Sequence, residues 1–317
     1  MRIGTTLSDS AGPDALERLR DQLAQAAADG LHSAWLSNIF GLDALTALAL
    51  AGSQVPGIEV GSAVVPTYPR HPVMLAQQAL TTALALGGRF TLGIGLSHRM
   101  VIEDMLGYSF DRPLRHLSEY LDVLLPLLDG QPVDVRGETV RAAAALSTPR
   151  LGRLPVLVAA LGPKMLRLAG ERVDGTVLWM TGPRTIREHI VPTIQAAATA
   201  AGRPAARVVA VLPVAVTDDA DAARDRAARE FKIYGRLPSY RAMLDREGAA
   251  GPADVALIGD EEAVRGRIAE LAGAGVTDFV AARFSAPDAA RTRALLRDLA
   301  GNNDTETAKA AEATKGA

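Results

Sequence analysis

The sequence predicts an α/β fold, a (β/α)8 TIM barrel in one domain over residues 1–300, with insertions after the fourth helix and around strands seven and eight. Three observations predict it. Eight apolar runs of strand length recur along the 317-residue chain. Between them lie segments with apolar residues at helical spacing, such as Leu16, Leu19, Leu23 and Ala27, or Leu117, Leu121, Leu124 and Leu128. The runs are apolar almost throughout rather than alternating, which requires burial on both faces, as in a parallel sheet covered by crossover helices. Eight such units favour a closed barrel over an open sheet.

In chain order the strand candidates are RIGTT (2–6), SAWLS (33–37), IEVGSAVVP (58–66), RFTLGIGLS (89–97), PVLVAAL (155–161), DGTVLWM (174–180), RVVAVLPVAV (207–216) and TDFVAARF (277–284). Two connections are too long for plain barrel loops. Residues 130–155 read as a hairpin insertion turning at Arg136-Gly137-Glu138, where glycine permits the turn and Val and Thr flank it. Residues 231–258 form the second insertion, and connections of that length commonly wall or cover a site. The tail, 301–317, carries no large apolar residue and is expected to be disordered.

Composition narrows the chemistry. A net charge of −2 gives no basic field for nucleic acid or an anionic membrane, so a small-molecule partner is expected. There is no cysteine, which removes disulfides, thiolate nucleophiles and cysteine-held metals. The five histidines, at 32, 71, 98, 116 and 189, show neither HxH nor HExxH spacing, so no metal is expected. MRIGTTLSDS has no long apolar core and no run is long enough to span a bilayer, so a cytoplasmic location is expected.

One junction carries chemistry. In VLVAALGPKMLRLAGE (156–171) a strand ends on Gly162 and a helix begins on Pro163, a position that tolerates proline because its amide would be unpaired anyway. The first amides, of Lys164 and Met165, are then left without a side-chain cap at the positive end of a helix, which suits an anion such as phosphate. A tight turn with a good helix start explains the same dipeptide. In RFTLGIGLSHR, Gly93 and Gly95 interrupt a strand and suggest close approach by another group, here a flat ligand, although GIGLSHR lacks the third glycine of a dinucleotide fingerprint. In GSAVVPTYPRHP (61–72) three prolines stiffen the chain around Arg70 and His71, and His71 reads equally as a cap before Pro72.

With LSNIFGLDALTALA, GSAVVPTYPRHPVMLAQQAL, GGRFTLGIGLSH and VLVAALGPKMLRLAGERVDGTVLWMTGP in this order, the chain resembles the luciferase-like monooxygenase superfamily over residues 1–300. Within it the stretches are most similar to the coenzyme F420-dependent oxidoreductases. The resemblance implies a tricyclic cofactor, F420 or alternatively FMN, lying over the barrel mouth against a bulge with a non-proline cis peptide at Ala63-Val64. It implies that Ala160, Leu161 and Gly162 line the cofactor's tail, with the backbone from Gly162 and Pro163 through Lys164 and Met165 receiving its phosphate. Ser97 and His98 then touch the cofactor, His98 with a possible catalytic hydrogen bond, while Trp179 and Met180 wall the substrate pocket. Sugar-phosphate dehydrogenases of this class use an Asp-His pair after the second strand; here Asn38 and Ile39 stand there. Isoleucine moves no proton, so reduction of an activated alkene, imine or carbonyl is expected, with Asn38 either as a hydrogen-bonding catalytic contact or as a strand-end residue that satisfies its own backbone. The alternatives are an FMN-dependent luciferase-like monooxygenase or a non-catalytic cofactor-binding relative, and a homodimer is implied by analogy.

Overall fold

The computed structural model describes residues 1–8, 11–285 and 289–315, with side chains described as far as residue 302. Twelve strands occur among them. They are β1 Arg2–Leu7, β2 Ser33–Leu36, β3 Glu59–Ser62, β4 Val65–Pro66, β5 Phe90–Gly95, β6 Val133–Arg136, β7 Arg141–Ala144, β8 Val156–Val158, β9 Gly175–Trp179, β10 Arg207–Val216, β11 Leu257–Gly259 and β12 Asp278–Ala282. Eight of these, β1, β2, β3, β5, β8, β9, β10 and β12, pair in parallel in that cyclic order, and the β9–β10 and β12–β1 pairings close the ring. All eight apolar runs became barrel strands, because each is buried outside against helices and inside against the opposite wall. Trp35, Leu157, Val177, Val209, Val211, Val280 and Ala282 fill the interior.

The strand beginnings close one end of this barrel with charge. Arg207 donates to both carboxylate oxygens of Asp278 (2.9 and 2.6 Å) and to Glu59 (2.8 Å), while Arg2 donates to Glu59 at 2.6 Å. Thr91 adds a hydroxyl bond to Glu59 at 2.8 Å. Burial disfavours the Arg207 cation, yet Asp278 and then Glu59 outweigh it and hold its pKa above the ordinary arginine value. At the other end, where the strands terminate, no such cluster is found among the described residues.

Strand three is split. After Ser62 the chain passes through a cis Ala63-Val64 peptide and pairs again with β5 as β4. Gly93 and Gly95 in β5 accommodate this bulge. A Cβ on Gly93 would lie 2.0 Å from the Ser62 carbonyl oxygen, and one on Gly95 would lie 2.7 Å from Val64 Cγ2. The close approach that Gly93 and Gly95 permit is by protein, Ser62 and Val64, and not by a flat ligand. Ser62 Oγ and the Gly93 backbone exchange two 2.9 Å hydrogen bonds that lock the arrangement. Gly93→Ala is expected to cost about 2–3 kcal/mol as an overpacked site. Urea unfolding reads it, and an unchanged midpoint would refute this account of the glycine.

The first insertion is the expected hairpin, β6 paired antiparallel with β7. Its turn wraps the carboxylate of Glu119, which accepts from the amides of Glu138 (3.1 Å), Thr139 (2.7 Å) and Val140 (3.1 Å) and from the Thr139 hydroxyl (2.6 Å). Burial works against this carboxylate's charge, but Thr139 and the turn amides prevail and bring its pKa down to about 2. The second insertion folds as a 3-10 turn Lys232–Gly235, a helix Pro238–Glu247, a helical turn Pro252–Val255 and β11, which extends the edge of β10. The last helix, Ala289–Lys315, carries helical backbone into the tail expected to lack order; residues 316–317 and the side chains from 303 onward lie outside the described residues.

Candidate active site

The residues that the sequence nominated stand where the barrel strands end: Asn38 beyond β2, Ala63 and Val64 between β3 and β4, Ser97 and His98 beyond β5, residues 160–162 beyond β8 with residues 163–165 opening the helix that follows, and Trp179 and Met180 at the end of β9. The end of β8 is held from both sides. Thr176 Oγ1 accepts from the Ala160 amide at 3.3 Å, and the His189 ring nitrogen Nε2 meets the Leu161 carbonyl at 2.9 Å. Gly162 then caps the helix Pro163–Arg172 in extended geometry with no side-chain hydrogen bond, and a Cβ placed on it would meet nothing within 4 Å. Among the described residues no side chain caps the amides of Lys164 and Met165 at the positive helix end.

The neighbouring unit repeats the sequence device and fills it. Gly182 and Pro183 open the helix after β9 in nearly the same backbone geometry. There the Glu247 carboxylate, from the second insertion, accepts from the amides of Arg184 (3.1 Å) and Thr185 (2.7 Å). One Gly-Pro helix start is thus neutralised by a protein carboxylate, and the one beside it is not. This difference was invisible locally, because Glu247 lies over sixty residues from the amides it caps.

Two non-glycine residues flank the end of β8 with left-handed backbone, Ser97 at φ 61° and Met180 at φ 52°. Such conformations cost about 1–3 kcal/mol and concentrate at functional sites. Neither the Ser97 hydroxyl nor the His98 ring makes a hydrogen bond among the described residues, and burial lowers the His98 pKa, which favours neutral imidazole. His98 meets Tyr240 edge-on, with centroids 5.7 Å apart. Trp179 is half-buried, and its indole nitrogen is shielded from solvent without a hydrogen-bond partner among the described residues. Val64 and Trp179 both rest on the interior cluster around Trp35, so they share the floor of the mouth.

Below the bulge, His116 supports Thr67. Its Nε2 lies 3.1 Å from the Thr67 hydroxyl, and its ring stacks on Tyr68 at 3.9 Å. Burial, only partly opposed by Glu119, brings the His116 pKa down to about 4. The folded protein therefore holds neutral imidazole while an unfolded chain takes a proton below about 6.5. Stability from this residue is fully present above pH 6.5 and is lost as pH falls through about 4. An NMR titration of the His116 ring should give a midpoint near 4, and a midpoint near 6.5 would refute the burial argument.

Asn38 has a structural occupation. Its Oδ1 accepts from the Ala44 amide at 2.9 Å and from Arg70 at 3.4 Å, leaving its NH2 without a partner among the described residues. Arg70 is paired with Asp43 and donates to Gln78 at 2.8 Å. His71 caps the helix Pro72–Ala85 through Nδ1, and its Nε2 meets the Arg141 carbonyl at 3.0 Å, so it serves the scaffold. The sequence reading missed His189, Glu247 and the insertion aromatics Phe231, Tyr234 and Tyr240. The only sequence signal for the last three was the unusual length of their connection.

Comparison with known proteins agrees with this architecture. The chain is 28% identical over 268 residues to the 5,10-methylenetetrahydromethanopterin reductase of Methanolobus tindarius, covering 83% of this chain and 81% of that one. Its fold superposes on the coenzyme F420-dependent tetrahydromethanopterin reductase of Methanopyrus kandleri with a TM-score of 0.80 at 23% identity, over 93% and 97% of the two chains. It superposes on an F420-dependent secondary alcohol dehydrogenase, solved with an F420-acetone adduct, with a TM-score of 0.79 at 20% identity, over 94% and 97%. No helix among the described residues is long and apolar enough to cross a membrane. Residues 1–278 match the family model for luciferase-like monooxygenases, and the chain belongs to that family.

Proposed function

We propose that the protein is an oxidoreductase that works with coenzyme F420 and reduces an activated alkene, imine or carbonyl in a small organic substrate. The observation that carries this reading is the open helix start at Gly162 beside the plugged one at Gly182. Backbone amides at a helix start suit a phosphate, and a Cβ placed on Gly162 would meet no described atom beyond its chain neighbours within 4 Å. The relatives named for F420 add weight to the cofactor assignment. A homodimer belongs to the same reading by analogy.

When bound, the reduced deazaflavin supplies a hydride. The amides of Lys164 and Met165 hold the phosphate, and Gly162 and Pro163 keep the approach free of side chains. Ala160 and Leu161 line the tail. Ala63 and Val64 on the bulge support the ring from the floor, while Trp179 and Met180 limit the space for substrate. Ser97 and neutral His98 offer hydrogen bonds at the strand-five rim, where His98 N–H stabilises negative charge on a substrate oxygen or nitrogen. Asn38 contributes through its free NH2. Exclusion of water by the apolar floor strengthens each of these contacts.

Fluorescence titration of the purified protein with F420 and, separately, with FMN tests the reading. Saturable F420 binding with little response to FMN is expected. Tight FMN binding without F420 binding would replace this reading with an oxygen-using monooxygenase, and F420 binding without turnover on any alkene, imine or carbonyl tested would make the protein a non-catalytic binder.

A further inference from the structure

We propose that the insertion 231–247 completes a pocket for a neutral, apolar enone or ketone, and that the Tyr240 hydroxyl holds the substrate's carbonyl oxygen. This deepens the oxidoreductase reading and rests on it for the identity of the reaction, not for the existence of the pocket.

Four aromatic rings run in contact across the mouth. His98 meets Tyr240 at 5.7 Å, Tyr240 meets Tyr234 at 5.2 Å, and Tyr234 meets Trp179 at 5.6 Å, each pair edge to face. His98 follows β5 and Trp179 ends β9, with β8 between them in the sheet, so the rings bridge over the end of β8. Two of the four come from the insertion, which explains why a barrel would keep so long a connection there. Phe231 anchors the bridge to its far side, 5.7 Å from Trp179.

The Tyr240 hydroxyl makes no hydrogen bond to the described residues and is not among the side-chain atoms sealed from solvent. Burial raises its pKa and keeps it protonated. It is therefore a donor within reach of a ligand that enters the mouth, and a carbonyl oxygen accepts without bringing charge into the pocket. The loops beside it expose apolar side chains. Ile39 and Phe40 beyond β2 are 65% and 62% exposed, and Met105 beyond β5 is 56% exposed. Two nearby arginines are already paired, Arg70 with Asp43 and Arg99 with Glu103. Exposed apolar side chains are removed from water when an apolar ligand docks on them.

The chain carries its own reporter. Of its two tryptophans, Trp35 is fully buried in the barrel and Trp179 stands in the ring bridge. The test is a quenching titration of the cofactor-free full chain with benzylideneacetone, a neutral aromatic enone, and with cinnamate, which presents a similar ring and alkene with a carboxylate. Saturable quenching by benzylideneacetone, lost in Trp179→Phe, and at least tenfold weaker binding of cinnamate are expected. Tyr240→Phe, which keeps the ring contacts, should weaken enone binding about tenfold, the loss of one hydrogen bond, while circular dichroism and thermal midpoint stay unchanged. Ile39→Lys, at an exposed position, should weaken enone binding several-fold.

Equal or tighter binding of cinnamate overturns the neutral-substrate assignment, and wild-type affinity in Tyr240→Phe overturns the role of the hydroxyl. Absence of saturable quenching overturns the pocket. Because the titration uses no cofactor, a failure to bind F420 would sink the proposed function and leave this result readable.

Discussion

Gly162→Asp should make the protein more stable and, at the same time, unable to hold its cofactor. Position 162 has φ −78° and ψ 153°, which any residue adopts, and no atom stands within 4 Å of a new Cβ. An aspartate there becomes the missing N-cap and gains about 0.5 kcal/mol from the cap and the helix dipole. It then occupies the amides of Lys164 and Met165 with a charge of the same sign as phosphate, as Glu247 already does at the next helix. Two charge-assisted hydrogen bonds at roughly 1.5 kcal/mol each correspond to at least about a hundredfold in dissociation constant. Thermal unfolding and F420 fluorescence titration read the two effects separately. Unaltered cofactor affinity in a folded Gly162→Asp protein would show that the phosphate is held elsewhere.

The second large effect lies at the opposite end of the barrel. Arg207→Met removes the cation that binds both oxygens of Asp278, whose side chain is only 2% exposed, and leaves Arg2 as the one arginine on both Asp278, at 3.3 Å, and Glu59. Stranding one member of a buried ion pair costs about 3–5 kcal/mol, and with Arg2 shared between two carboxylates the lower end, about 3 kcal/mol, is expected. The urea midpoint should fall accordingly. Asp278→Asn in the Arg207→Met background should restore part of it, because it removes the stranded charge. Cofactor affinity measured well below the unfolding transition should be unchanged, since no residue of this cluster reaches the mouth. A midpoint within error of wild type would mean that Arg2 alone neutralises both carboxylates.

Much of this molecule was legible from local pattern. The eight barrel strands coincide with eight apolar runs because a parallel barrel buries both faces of each strand, and burial writes itself into composition residue by residue. The hairpin at Arg136-Gly137-Glu138 was visible from its turn chemistry, but Glu119, which fastens it, was not. A carboxylate on an exposed-looking helix turn gives no sign that a loop about twenty residues away will fold around it. The same limit explains Gly93 and Gly95. Their spacing correctly reported a close approach, yet only barrel closure, which sets the bulge beside β5, reveals that the approaching group is Ser62 and Val64. Asn38 shows the same limit, because the Ala44 amide that occupies its oxygen and leaves only its NH2 open lies in the fold of the following loop and not in the strand end itself. The uncapped helix start was readable because a missing cap is a purely local property.

The charged plug beneath Trp35 makes the barrel a cup and not a tube. Whatever settles on the floor beside Val64 must arrive before anything seated higher, and must leave after it. Traffic through a single opening of this kind imposes a first-in, last-out sequence on two ligands, so product-inhibition kinetics should distinguish the deep occupant from the shallow one without any moving part in the protein.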